Sequence, residues 1–180
     1  MKKSVAAFLM VFMILSPALA RADLTFEQAV DEIAQHLTSL NPITWVAPGE
    51  KYHLVIFIDN QCVYCSQIVK NIHHYTDAGF SVSFLTVAPP AIRDQVTEDM
   101  ARVWCSATPQ ESLRNAMAGF LPANGATPEC TDTIKSQSAL AERIGIRATP
   151  VIVVMQKKPL LFVGMKTPSF MLKQLNEQPQ

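Results

Sequence analysis

Tyr52-His53-Leu54-Val55-Ile56-Phe57-Ile58-Asp59-Asn60-Gln61-Cys62-Val63-Tyr64-Cys65 is the stretch whose reading decides the fold. Tyr52 to Ile58 is rich in β-branched and aromatic residues and reads as a buried central strand. Two cysteines follow, two residues apart, where a helix should begin. A cysteine at a helix N-terminus faces unpaired backbone N–H groups and the positive end of the macrodipole, so its thiolate is favoured. The thiolate is the form that attacks disulfides. The second cysteine, one turn later, can close a disulfide with the first. Strand, Cys-x-x-Cys and helix in that order form a redox arrangement.

The N-terminus points to export. Lys2-Lys3 is followed by the apolar run Val5 to Leu15 and by Ala18-Leu19-Ala20. This predicts a secretory signal peptide over 1–20. Ala20-Arg21-Ala22 also fits the cleavage pattern, so the cut falls after Ala20 or after Ala22. The alternative, a membrane anchor, needs about 20 apolar residues, and the run is shorter. The short Lys-Lys start suits a bacterial export signal and hence a periplasmic location. The remainder is long enough for one domain of usual size. Net charge is zero and no long basic run appears, which leaves nucleic-acid binding without an electrostatic footprint. Cys62, Cys65, Cys105 and Cys130 all lie beyond the signal. An even number in an exported chain favours two disulfides. Close spacing favours Cys62–Cys65, which leaves Cys105–Cys130.

Apolar residues at Phe26, Ala29, Val30, Ile33, Leu37 and Leu40 predict a one-faced helix from Thr25 to Leu40, with Thr25 and Gln28 as a capping box. Ile43 to Val46 reads as a short strand. A redox helix is expected from about Cys62 to Ala78, with Gly79 ending it, then a strand from Phe80 to Val87. Helical stretches are expected over Ile92 to Cys105, Pro109 to Gly119 and Thr133 to Ile144. Val151 to Met155 and Leu160 to Gly164 read as an antiparallel pair, and Pro168 to Leu175 as a closing helix. The order is α/β: a thioredoxin-like fold with a helical insertion, preceded by an N-terminal linker-like helix. The expected division is a signal peptide over 1–20, a helix and linker over 21–42, and a catalytic domain over 43–180 with the insert at about 91–132.

Cys62 is the candidate nucleophile, nearer solvent and the helix dipole, and Cys65 the resolving thiol. A zinc site and an inert bridge are the alternatives; zinc ribbons pair two Cys-x-x-Cys units, and Cys105 and Cys130 are far apart in sequence. Thr149-Pro150 opens a strand, where an X–Pro bond can be cis. In thioredoxin-like folds such a loop packs beside the Cys-x-x-Cys. Asp59, three residues before Cys62, either caps the turn or relays protons to Cys65. Tyr64 is expected to influence thiol potential and substrate contact. His73 and His74 read as structural, and Trp104 as packing the inserted helices. Cys105 and Cys130 read as a structural bridge worth about 3 kcal/mol for the loop it closes, with a second redox pair as the alternative. No metal and no cofactor is expected.

With these residues in view, the chain resembles the DsbC/DsbG family of bacterial periplasmic disulfide isomerases. The likeness rests on Val46-Ala47-Pro48, on Phe57 to Cys65, and on Met100-Ala101-Arg102-Val103-Trp104-Cys105. It continues through Met117-Ala118-Gly119, Cys130 and Thr149-Pro150-Val151. The resemblance implies that Cys62 and Cys65 are the active pair, Cys105–Cys130 the structural bridge and Thr149-Pro150 the cis-proline loop. It also implies a membrane thiol reductase of DsbD type as redox partner and cysteine-containing exported proteins as substrates. Val63 stands where DsbC has glycine, which should alter potential and crowding near Cys62. DsbC-like isomerases carry a dimerisation domain ahead of a linker helix, whereas about 20 residues are expected here between cleavage site and catalytic domain; a monomer is expected. The activity expected is isomerisation or reduction of disulfides. The alternatives are a monomeric DsbA-like thiol oxidase and a non-catalytic periplasmic chaperone or assembly factor, for instance for conjugation machinery.

Overall fold

The computed structural model describes residues 24–177, so the segment read as a signal peptide lies outside the described residues. Tyr52–Ile58 forms the expected strand, β2, after a short strand β1 at Ile43–Trp45. From Leu54 to Ile58 β2 is wholly buried. A strand buried on both faces needs neighbours on both edges and cover on both sides. The other strands are β3 (Phe80–Thr86), β4 (Val151–Met155) and β5 (Leu160–Val163), and the sheet order is β1-β3-β2-β4-β5. β2 runs parallel to β3, with Ile56 opposite Phe84, and antiparallel to β4, with Val55 opposite Val153. Parallel neighbours need a crossover, and two short helices, α2 (Val63–Lys70) and α3 (Ile72–Asp77), make it.

Alternation along the strands divides the core into two layers. Leu54, Ile56, Ile58, Phe80, Val82 and Phe84 pack against the crossover helices and the insert. The insert brings helices α4 (Arg93–Trp104) and α5 (Pro109–Ala116), and α6 (Pro128–Arg143) follows it. Val55, Phe57, Leu85, Val151 and Val153 face the other side, where Leu140 and Ala141 of α6 and the N-terminal helix α1 (Phe26–His36) cover them. Helix α7 (Pro168–Asn176) closes the chain. Among the described residues no helix is long and apolar enough to cross a membrane.

The capping box of α1 is formed: the Gln28 amide donates to Thr25 Oγ1 at 3.3 Å, and the Thr25 amide donates to Gln28 Oε1 at 2.9 Å. The helix stops at His36, short of the expected Leu40, and Asn41 turns the chain with φ of 47°. A helix this short is marginal alone. Val30 and Ile33 bury their side chains against the sheet, and full burial of such a side chain contributes about 1.5–3 kcal/mol. The element expected to be linker-like thus lies on its own sheet.

Two further boundaries differ from the pattern-based reading. The single helix expected from Cys62 to Ala78 breaks at Asn71, whose backbone leaves helical values with φ −103° and ψ 24°. Asn71 Nδ2 donates to the Gln67 carbonyl at 2.8 Å, a local side-chain bond that competes with helix continuation. Helix α6 begins at Pro128, inside the interval assigned to the insert and a turn before the expected Thr133. Thr127 Oγ1 accepts the Cys130 amide at 3.3 Å, and proline at the first helical position loses no hydrogen bond.

The insert is fastened at several points. Cys105 and Cys130 form a disulfide with Cα atoms 5.8 Å apart, joining the end of α4 to the first turn of α6. Arg102 donates to the Asn124 carbonyl at 3.0 Å and to the Pro122 carbonyl. Trp104 Nε1 donates to the Asn41 carbonyl at 2.8 Å, so this tryptophan ties the insert to the segment ahead of β1 as well as packing within it.

Candidate active site

Cys62 is the N-cap of α2, in extended backbone conformation, and its Sγ accepts the Cys65 amide at 3.1 Å. No acidic residue occupies the first turn of that helix. The sulfur therefore sits against an unopposed positive helix end, where negative charge is favoured. Cys62 is half-buried and Cys65 is fully buried. The two are joined as a disulfide with Cα atoms 5.2 Å apart. Val63 and Tyr64 point outward, 71% and 62% exposed, and so place apolar surface beside the half-buried sulfur.

Asp59, at the end of β2, is only 4% exposed. Its Oδ1 accepts the Gln61 amide at 2.8 Å and its Oδ2 accepts the Thr149 hydroxyl at 2.6 Å. The capping geometry, one of the two alternatives for this residue, is present, and it extends to a second loop. The Thr149–Pro150 bond is cis. The Pro150 carbonyl accepts the Gly164 amide at 2.8 Å, which anchors the loop to the end of β5. The cysteine turn and the proline loop, far apart in sequence, are thus brought together at the ends of β2 and β4.

An apolar cavity of about 240 Å³ opens beside Thr149, between residues Val87 to Pro90 and residues Ile146 to Thr149. Its first wall is held by buried polar side chains. Gln137 Oε1 accepts the Thr86 amide at 2.7 Å and Ser138 Oγ accepts the Ala88 amide at 2.9 Å. The sequence pattern marks neither Pro89-Pro90 nor Gln137 and Ser138 as part of a site. A buried glutamine on a helix face carries no local signal; its partners are 51 and 97 residues away.

The other flagged residues lie away from this site. His73 Nε2 is 3.4 Å from Arg114 Nη2 on α5. The Cys105 sulfur is 3.1 Å from the Thr127 hydroxyl and accepts the Thr127 amide at 3.4 Å. All four sulfurs are engaged in the two disulfides.

The model of the thioredoxin-like domain family matches residues 42–179. Among curated proteins, the thiol:disulfide interchange protein DsbC of Salmonella typhimurium is 30% identical over 113 residues, which are 62% of this chain and 46% of that protein. DsbC of Haemophilus influenzae is 29% identical over 138 residues, 77% of this chain and 58% of that protein. The chain spans about half the length of the curated relatives it matches. Among solved structures, Proteus mirabilis ScsC in a compact conformation superposes with a TM-score of 0.65 at 18% identity, covering 88% of this chain and 81% of that one. The disulfide interchange protein from Neisseria gonorrhoeae superposes with a TM-score of 0.61 at 17% identity, covering 78% and 96%. These two likenesses are of fold.

Proposed function

The chain belongs to the thioredoxin-like domain family, and on that premise we propose that it is a periplasmic thiol:disulfide oxidoreductase that isomerises or reduces disulfides of exported proteins. The observation that carries the reading is the Cys62–Cys65 pair at the N-terminus of α2, one sulfur half-buried and the other fully buried, beside the Thr149-Pro150 loop. In the dithiol form, Cys62 thiolate attacks one sulfur of a substrate disulfide, forms a mixed disulfide and releases the other sulfur as thiolate. In isomerisation a different substrate thiolate attacks the substrate sulfur bound to Cys62, which forms a new substrate disulfide and frees Cys62 as thiolate. In reduction Cys65 thiolate attacks Cys62 Sγ and releases the second substrate thiolate. Two electrons pass to the substrate and the Cys62–Cys65 disulfide remains. A membrane thiol reductase of DsbD type would then return two electrons to the pair. Thr149 and Pro150 would hold the substrate backbone, and Val63 and Tyr64 would meet its side chains. Cys105–Cys130 would serve as the structural bridge.

The same proposal includes export by the segment 1–20, a helix and linker over 21–42, and a catalytic domain over 43–180 with its insert at about 91–132. It also includes a monomeric state. The support for the last is that Val30 and Ile33 of α1 are already buried on the chain's own sheet, which leaves that stripe without surface for a second copy.

The test is thiol trapping of the pair in the periplasm together with exchange assays on a scrambled disulfide substrate in vitro. The expected result is a largely reduced pair in vivo and exchange activity that Cys62→Ser abolishes. A largely oxidised pair with fast oxidation of dithiol peptides would make the protein an oxidase. Function retained by Cys62→Ser would make it a holding chaperone.

A further inference from the structure

The carboxylate of Asp59 hydrogen-bonds to both walls of the site. Its Oδ1 accepts the Gln61 amide at 2.8 Å, and its own backbone carbonyl accepts the Cys62 amide at 3.4 Å. These bonds fix the turn that delivers Cys62 to the start of α2. Its Oδ2 accepts the Thr149 hydroxyl at 2.6 Å across 90 positions of sequence. Thr149 in turn lines the apolar cavity and precedes the cis bond. The link is nearly dry, since Asp59 is 4% exposed. A hydrogen bond to a charged group in such surroundings is stronger than one between neutral groups.

We propose that Asp59 is a positioning residue that acts through Thr149, locking the proline loop to the cysteine turn so that an incoming substrate strand meets one preset gap. The inference rests on the thiol–disulfide reading of the site. A strand that pairs with a loop backbone loses affinity when the loop must first be ordered. With the Thr149 hydroxyl tied to Asp59, its side-chain rotamer and the distance from loop to turn are set before substrate arrives. Both carboxylate oxygens accept hydrogen bonds in this arrangement, one from each wall. The role is distinct from that of a proton relay.

The test is a double-mutant cycle on exchange with a peptide disulfide, reading KM and kcat separately, using Asp59→Asn, Thr149→Val, both together, and Thr149→Ser. Thr149→Val should raise KM about tenfold, the scale of one hydrogen bond to a charged group, with a smaller change in kcat. Thr149→Ser keeps the hydroxyl and should restore a KM within about twofold of the wild type. The double variant should be no worse than the poorer single one, since both remove the same link. A wild-type KM in Thr149→Val, or effects that multiply in the double variant, would overturn the inference. If Thr149→Val does not unfold cooperatively, Asp59→Asn decides alone. It removes the charge and replaces one oxygen by an N–H donor, so the bond to the Thr149 hydroxyl is at best a weaker neutral one; KM should rise, and a wild-type KM overturns the inference. A wild-type protein inert in exchange would sink the functional reading and this inference with it. Variants that exchange with unaltered KM would sink this inference only.

Discussion

Cys62 and Cys65 are separated by two residues and by a large difference in access, half-buried against fully buried. In the reduced protein, alkylation should therefore fall on Cys62 first, with a midpoint below the free-thiol value of about 8.5. Mass mapping of partly alkylated protein across a pH series checks this, and faster labelling of Cys65 at neutral pH would reverse the assignment of roles. A second residue-scale expectation concerns His53. Burial lowers its pKa from 6.5, with Glu50 pulling weakly the other way, and its Nε2 shares a 2.9 Å hydrogen bond with Ser83 Oγ, which in turn bonds Thr44 at 2.8 Å. The folded state favours the neutral ring. Between the lowered pKa and 6.5 the unfolded chain binds more protons, so stability is present above pH 6.5 and falls as pH drops below it. Chemical denaturation at pH 7.5 and at successively lower pH should show that loss, and His53→Gln should flatten it. At this scale the sequence was informative wherever spacing was local. Asp59 was visible as a residue three positions from Cys62. Thr149 was visible too, as the residue ahead of the candidate cis proline; its bond to Asp59 was not, because it joins side chains 90 positions apart.

Elements were legible where periodicity and turn chemistry agreed, as in α1 with its Thr25–Gln28 box and in β2 and β3 with their apolar runs. They were misread where one side chain settled a boundary. Asn71 splits the crossover into α2 and α3 through its bond to the Gln67 carbonyl, and the periodicity on either side of it is undisturbed. Helix α6, expected from Thr133, begins at Pro128. The cap that starts α6 also touches the bridge, since Thr127 Oγ1 accepts the Cys130 amide while the Thr127 amide donates to Cys105 Sγ. Thr127→Ala should cost about 0.5–2 kcal/mol, the usual range for a lost N-cap, read as a lower urea midpoint at constant m-value. An unchanged midpoint would mean that the bridge alone fixes the start of α6.

For the molecule as a whole, alternating strands and helices were enough to give an α/β sheet covered on both faces. The strand order was not available from the chain: β3 lies between β1 and β2, although it follows both in sequence. The pairing of sulfurs was anticipated from spacing; the cavity beside Thr149 was not, because its walls come from two segments about 60 residues apart. The two-layer core described above also fixes an order of opening. β2 has strands on both edges and cover on both faces, so its amides should exchange with deuterium only through global unfolding. Helix α1 is held by a few side chains on one face, so its amides should exchange earlier, through a local detachment that leaves the cysteine turn folded. Exchange mass spectrometry would place α1 among the first segments to label and β2 among the last, and equal protection of the two would mean that the layers part together. On the expected pattern the protein could shed its N-terminal helix transiently while the proposed thiol–disulfide exchange at Cys62 continues, and the face beneath that helix would be the first place a protease or an aggregating neighbour gains entry.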